Sequence, residues 1–161
     1  MIILGIDPGV ARIGWAVISV NHGTITAKAY GCITTEKTES LPNRLLLAYS
    51  AITILVSKYH PDSMSVEELF FSNNAKTAIN VGQARGIVLL AAAQAKIPVI
   101  SYTPPAVKRA ITGSGSADKK QVARMVVATL RLKKAPKLDD TSDALAIAMT
   151  HAYSYKMKSL I

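Results

Sequence analysis

Four acids stand where a purely structural role fits them poorly. Asp7 follows an all-apolar run, Glu67 follows Met64-Ser65-Val66, and Asp140 and Asp143 open an apolar segment three residues apart. A spacing of three places the last two on one face of a helix start. If the chain gathers these carboxylates, their mutual repulsion raises their pKa values, a cost that a divalent cation removes. Mg²⁺ prefers oxygen ligands and keeps waters and substrate phosphate in its shell. Two such ions about 4 Å apart activate an attacking water and stabilise a leaving 3′ oxygen. Taken singly, each acid has a plainer reading: a turn former before Pro8-Gly9, a strand-end surface acid, or a charge complementing a helix dipole. Only the constellation points to metal-assisted phosphodiester cleavage, and a basic surface would supply its polyanionic substrate.

The elements that must position these acids follow from apolar patterning. Residues 1–6 read as a short buried strand, 13–20 as a second and 24–35 as a third, with a turn at Asn21-His22-Gly23, so the chain opens as an antiparallel meander. Ser40 caps a helix over 41–59 that Pro61 stops, and 63–67 is a short strand ending in acid. Asn73 or Asn74 caps a long helix to about residue 95, whose only charges are Lys76 and Arg85. A helix so apolar must be covered on more than one side, by its own domain or by another subunit. Residues 97–101 form another strand, and Pro104-Pro105 lead into a short helix around Lys108. After the 113–116 loop, Ser116 or Asp118 caps a basic helix to about 132. Asp139 or Asp140 opens the last helix. A meander followed by alternating strands and helices implies a five-stranded mixed α/β sheet with helices on both faces.

The chain has 161 residues, half of them apolar, the size of one domain able to bury a core without metal or disulfide support. Its one cysteine, Cys32, has no internal partner and reads as a buried strand residue suited to a reducing compartment. No stretch reaches the roughly 18 apolar residues of a membrane span. Met1 runs into Ile2-Ile3-Leu4 without a basic leader, so the expected location is cytoplasmic. The formal charge of +9 is lopsided: residues 1–95 carry seven Lys/Arg against six Asp/Glu, whereas residues 96–161 carry twelve against four. That basic half suits a nucleic-acid partner, because each phosphate it neutralises releases a counterion.

Gly5-Ile6-Asp7-Pro8-Gly9 with Gly14, then Val66-Glu67-Glu68-Leu69-Phe70, then Gly82-Gln83-Ala84-Arg85-Gly86, then Asp140-Thr141-Ser142-Asp143-Ala144 resemble the RuvC Holliday-junction resolvases. Each motif is weak alone, but four in this order over residues 2 to about 153 are specific. Lys108 and Gly115-Ser116-Ala117-Asp118-Lys119 also fall at family positions. The resemblance implies a single ribonuclease-H-like nuclease domain over 1–161 and a homodimer. It also implies Mg²⁺-dependent nicking of two like-polarity strands at a four-way DNA junction, with two ions per active site and Mn²⁺ able to substitute. A branch-migration motor is a further partner the family implies. Carried over by position, the metal-binding acids are Asp7, Glu67, Asp140 and Asp143, with the choice between Asp139 and Asp140 left open. Glu68 reads as a surface or supporting acid.

The residues agree with this reading. Lys108 and Lys119 suit contacts to the scissile phosphate or stabilisation of transition-state charge, and Lys120 and Arg124 extend the basic surface. Backbone N–H groups of the 113–116 loop, with a helix start at Ser116, could hold a phosphate. Phe70 could stack on an unpaired base, a role for which Phe71 competes. The 74–95 helix is the dimer candidate, since a two-fold junction needs two equivalent sites. Arg85 is expected to pair with an acid or a carbonyl, His151 to pack, and Met125, Met149 and Met157 to fill helix interfaces. Two alternatives use the same fold. A nucleotide-binding ATPase shares the Gly5–Gly14 pattern but needs two such domains around ATP. A non-catalytic nucleic-acid-binding module would have no need of four acids.

Overall fold

The computed structural model describes residues 1–68 and 75–158. Strands β1 (Ile2–Asp7), β2 (Arg12–Asn21) and β3 (Thr24–Thr34) form the meander. Its hairpin turns at His22 and Gly23, both with positive φ, as the twist of a two-residue connection demands. Helix α1 (Leu41–Tyr59) starts at Ser40, whose hydroxyl accepts from the Asn43 N–H, and ends at His60 in the left-handed conformation. Then follow β4 (Ser63–Glu67), α2 (Ala75–Gln94), β5 (Val99–Tyr102), α3 (Pro104–Thr112), α4 (Lys119–Leu130) and α5 (Asp139–Lys158).

The five strands make one mixed sheet in the order β3-β2-β1-β4-β5. β1 pairs antiparallel with β2 and parallel with β4, and β4 pairs parallel with β5. Side chains alternate across it. Leu4, Ile6, Val17, Met64 and Val66 pack with Ile52, Val88 and Ala92 of α1 and α2. On the opposite face Ile3, Ala16 and Ile18 pack with α3, α4 and the fully buried Leu145-Ala146-Ile147-Ala148-Met149 of α5. Both faces are thus covered, as the patterning implies, and the fold is ribonuclease-H-like.

Several local expectations change. β5 begins at Val99 rather than Ile97; Pro98 has no N–H to pair, and its carbonyl accepts from the Met64 N–H. Asp118, not Ser116, caps α4, in a reciprocal box with Gln121. A carboxylate therefore occupies the helix start that the sequence offers to a phosphate. Among the described residues Arg85 donates to the Ser101 hydroxyl at 2.8 Å, not to an acid or carbonyl. Cys32 is only half-buried. Met125 is exposed, whereas Met149 is buried. Phe70, Phe71, the cap at Asn73 or Asn74, and the side chain of Met157 lie outside the described residues. No helix among the described residues is long and apolar enough to cross a membrane.

Candidate active site

Asp7 and Glu67 are the last residues of the parallel neighbours β1 and β4. Ile6 is paired with Val66, so the two acids stand side by side one step beyond. That is the carboxyl edge of the sheet, where crevices of open α/β sheets take their ligands. α5 brings its first turn to the same place, and two glycines let it come close. A Cβ on Gly5 would lie 2.4 Å from the Ala144 carbonyl oxygen, and one on Gly14 only 1.8 Å from that of Asp140. With no side chain there, α5 lies almost on the strand backbones, and Asp143 comes to line the same cleft as Asp7.

A cleft of about 320 Å³ opens at this edge, lined by Asp7, Glu67, Lys108, Lys119 and Asp143 over a floor of Val107, Val122 and Ile147. Lys119 Nζ donates to Asp143 Oδ2 at 3.1 Å. Asp140 lies just outside the cleft. Its Oδ2 is 3.0 Å from Arg12 Nε, but among the described residues it accepts no hydrogen bond, so that contact is one of charge. Asp139 is exposed and Asp140 half-buried. Glu68 is exposed too, its N–H donating to the Tyr102 carbonyl. Lys120 and Arg124 project from the outer side of α4, and Arg124 lines a separate depression with Thr112 and Ser114.

Burial and crowding govern the charges. Burial, then the charges of Glu67, Asp143 and Asp140, push the Asp7 carboxyl up to about 8. Burial and then Asp143 raise Glu67. Asp143 is raised as well, because burial outweighs the lysine beside it, while that carboxylate holds Lys119 more firmly protonated. The donors suit a hard cation: carboxylates alone, whose shared cost a positive ion relieves. Among the described residues, however, no three acids, histidines or cysteines are drawn together tightly enough to hold an ion as they stand. Two of the acids face cationic side chains instead, Asp143 facing Lys119 and Asp140 facing Arg12.

Two contacts escape a reading of the sequence, one beside the acids and one that lines a separate pocket. Arg12 meets Asp140 only through the tertiary fold. Tyr102, the register partner of Glu67, shares a 2.8 Å hydrogen bond with the buried His151, 49 residues away. Neither contact leaves a spacing signal.

A ribonuclease-H-like sheet with carboxylates and lysines at its carboxyl edge defines the class of nucleic-acid-cleaving enzymes to which the comparisons point. The family model described as crossover junction endodeoxyribonuclease RuvC matches residues 3–151. The RuvC of Roseiflexus sp. (strain RS-1) is 48% identical over 154 residues, covering 96% of this chain and 92% of that protein. The RuvC of Clostridioides difficile (strain 630) is 47% identical over 161 residues, covering 100% and 95%. Among solved structures, Thermus thermophilus RuvC superposes with a TM-score of 0.91 at 36% identity, covering 98% of this chain and 97% of that one. The same protein in complex with Holliday junction substrate gives a TM-score of 0.89 at 34% identity, covering 98% and 96%. The chain belongs to the RuvC family of crossover junction endodeoxyribonucleases.

Proposed function

We propose that this chain is a Holliday-junction resolvase. It acts in the cytoplasm as a single nuclease domain spanning residues 1–161, nicking two like-polarity strands symmetrically during recombination and DNA repair. The observation that carries this reading is the meeting of Asp7, Glu67 and Asp143 with Lys108 and Lys119 in one cleft, in a chain of the RuvC family. The Thermus thermophilus relative described with a Holliday junction substrate supports the choice of substrate.

Asp7, Glu67 and Asp143 would hold Mg²⁺, two ions per site with Mn²⁺ able to substitute, and Asp140 would join them on leaving Arg12. When bound, the ions would lower the pKa of a water so that it can attack, and would stabilise charge at the leaving oxygen. The protein's own part is positioning and electrostatics. Lys119 stays protonated because Asp143 faces it, and with Lys108 it offers positive charge to the phosphate oxygens. The apolar floor of Val107, Val122 and Ile147 lowers the local dielectric and strengthens those attractions. Lys120 and Arg124 extend the basic surface along the DNA, and Phe70 is assigned to stacking on an unpaired base at the opened junction.

The test is a mobile four-way junction incubated with the protein and Mg²⁺. Paired symmetric nicks are expected with linear duplex left intact; equal cutting of linear duplex would reject structure selectivity. Ca²⁺, with its looser shell, is expected to support binding with little cleavage.

The same reading makes the protein a homodimer through α2. Ile79 and Leu90 of that helix are 61% and 52% exposed, and with Gln83 and Gly86 they form one outward stripe. A Cβ on Gly86 would meet nothing within 4 Å, so the middle of the stripe is flat enough for a two-fold partner to approach closely. Leu90→Arg is expected to give monomers by sedimentation while the far-ultraviolet circular dichroism is kept. A variant that stays dimeric would move the interface elsewhere. A branch-migration motor is the further partner proposed.

A further inference from the structure

Arg12, the partner of Asp140, also lines a groove of about 600 Å³ whose walls include Thr34, Glu36, Lys37 and Thr38. We infer that this groove is a second phosphate subsite for the substrate strand, in which Arg12 exchanges Asp140 for a backbone phosphate. The inference rests on the resolvase reading, since it supplies the strand. The chemistry of the walls is that of phosphate contact: a guanidinium, an ammonium and hydroxyls, with Glu36 as the acid among them.

The geometry connects the groove to the cleft. Asp140 acts on Asp7 on one side and touches Arg12 on the other. On this inference a strand with its scissile phosphate among Lys108, Lys119 and the acids would run past Asp140 to Arg12, which touches that carboxylate and lines the groove. Arg12 is poised for both partners. Its side chain is 50% exposed against 22% for Asp140, so the guanidinium reaches into the groove while resting on the carboxylate. The contact uses no hydrogen bond of Asp140 Oδ2, and a forked guanidinium binds phosphate through two parallel N–H donors.

The floor is held in place. Thr35 donates to the Val10 carbonyl at 2.6 Å and accepts from Arg44 Nε at 2.9 Å. This ties the end of β3 to the turn after Asp7 and fixes the groove relative to the cleft. The exchange has a consequence for the reaction: once Arg12 holds phosphate, Asp140 becomes available to a cation, so DNA binding favours ion binding.

The test measures junction affinity in Ca²⁺ across a salt series, using the whole protein. For every phosphate that the protein ceases to neutralise, the slope of log K against log[salt] falls by about 1. Each substitution acts twice in a dimer on a two-fold junction, so Arg12→Ala and Lys37→Ala are each expected to lower the slope by about 2, and the double variant by about 4. Arg12→Lys should keep the slope. Lys58→Ala, at the far end of α1, should keep it too. Thermal unfolding of each variant checks that the fold is intact. If the wild type nicks the junction but Arg12→Ala keeps its slope, whatever the loss of rate, Arg12 serves only as a counter-charge for Asp140 and the subsite is refuted. A wild type that neither binds nor nicks the junction sinks the resolvase reading, and the subsite with it.

Discussion

Asp7→Asn is expected to abolish junction nicking while making the ion-free protein more stable at neutral pH. The two effects share one cause. Asp7 is forced to share a buried corner with Glu67, Asp143 and Asp140, and its carboxyl titrates near 8 rather than at the ordinary 3.8. The unfolded chain releases this proton from about pH 4 upward, the folded chain only near 8. Below about pH 4 the folded state therefore has its full advantage, and that advantage is lost progressively as pH rises to about 8. Glu67 and Asp143 are raised as well, so they add to the same slope. Asparagine keeps the shape and never ionises. The full displacement corresponds to about 1.4 kcal/mol per pH unit; with water entering the open cleft, a gain on the order of 2 kcal/mol at about pH 8 is expected. At roughly 2–4 °C per kcal/mol, calorimetry in a chelator resolves that. Mg²⁺ should raise the unfolding temperature of the wild type at the same pH and narrow the gap. If Asp7 holds an ion as proposed, nicking should fall by about a thousandfold or more, because losing it removes several kcal/mol of charge stabilisation, while junction binding persists. An ion-free wild type whose stability does not decline between about pH 5 and 8 would show that Asp7 carries no such burden.

What the sequence discloses depends on whether the cause is local. The first turn of α1 is legible because Ser40 carries its own instruction as a cap. The acids are legible because Asp7 and Glu67 end apolar strands, and a strand's end is a local property. Their company is not: nothing in the spacing from 7 to 140 says that α5 settles onto β1 and β2. The choice between Asp139 and Asp140 is of the same kind, since only the packed helix exposes one and turns the other toward Arg12. The 74–95 pattern demands cover on more than one side, from its own domain or from a second subunit. Even so, it cannot say that Val88 and Ala92 take the inner share and leave Ile79 and Leu90 outside. The start of α4 is ambiguous in the sequence because Ser116 and Asp118 are both good caps. The box closes only on Asp118, which has Gln121 three residues on.

Gly14 lends the resemblance one of its fixed points, and packing explains why a glycine stands there. A methyl group on Gly14 would lie 1.8 Å from the carbonyl oxygen of Asp140 and 2.4 Å from its carbon. Backbone lies on both sides of that contact, β2 held between β1 and β3 and α5 anchored by its buried apolar run. No side-chain rotation relieves it, so the start of α5 must retreat by about 1 Å or more to restore an ordinary carbon–oxygen contact. Gly14→Ala is expected to cost about 1–3 kcal/mol or more in stability. Its larger effect falls on the reaction, because Asp140 and Asp143 ride on the turn that moves while Asp7 and Glu67 stay on their strands. A misplacement of that size costs about a hundredfold in rate, and extra Mg²⁺ should not restore it, since the proposed ligands would be displaced rather than under-occupied. Arg12 is lifted from Asp140 by the same retreat, so the salt dependence of junction binding should persist where nicking fails. A Gly14→Ala protein that nicks at the wild-type rate would mean that α5 can hold its acids in place from further off, and that the close approach to β2 serves packing alone.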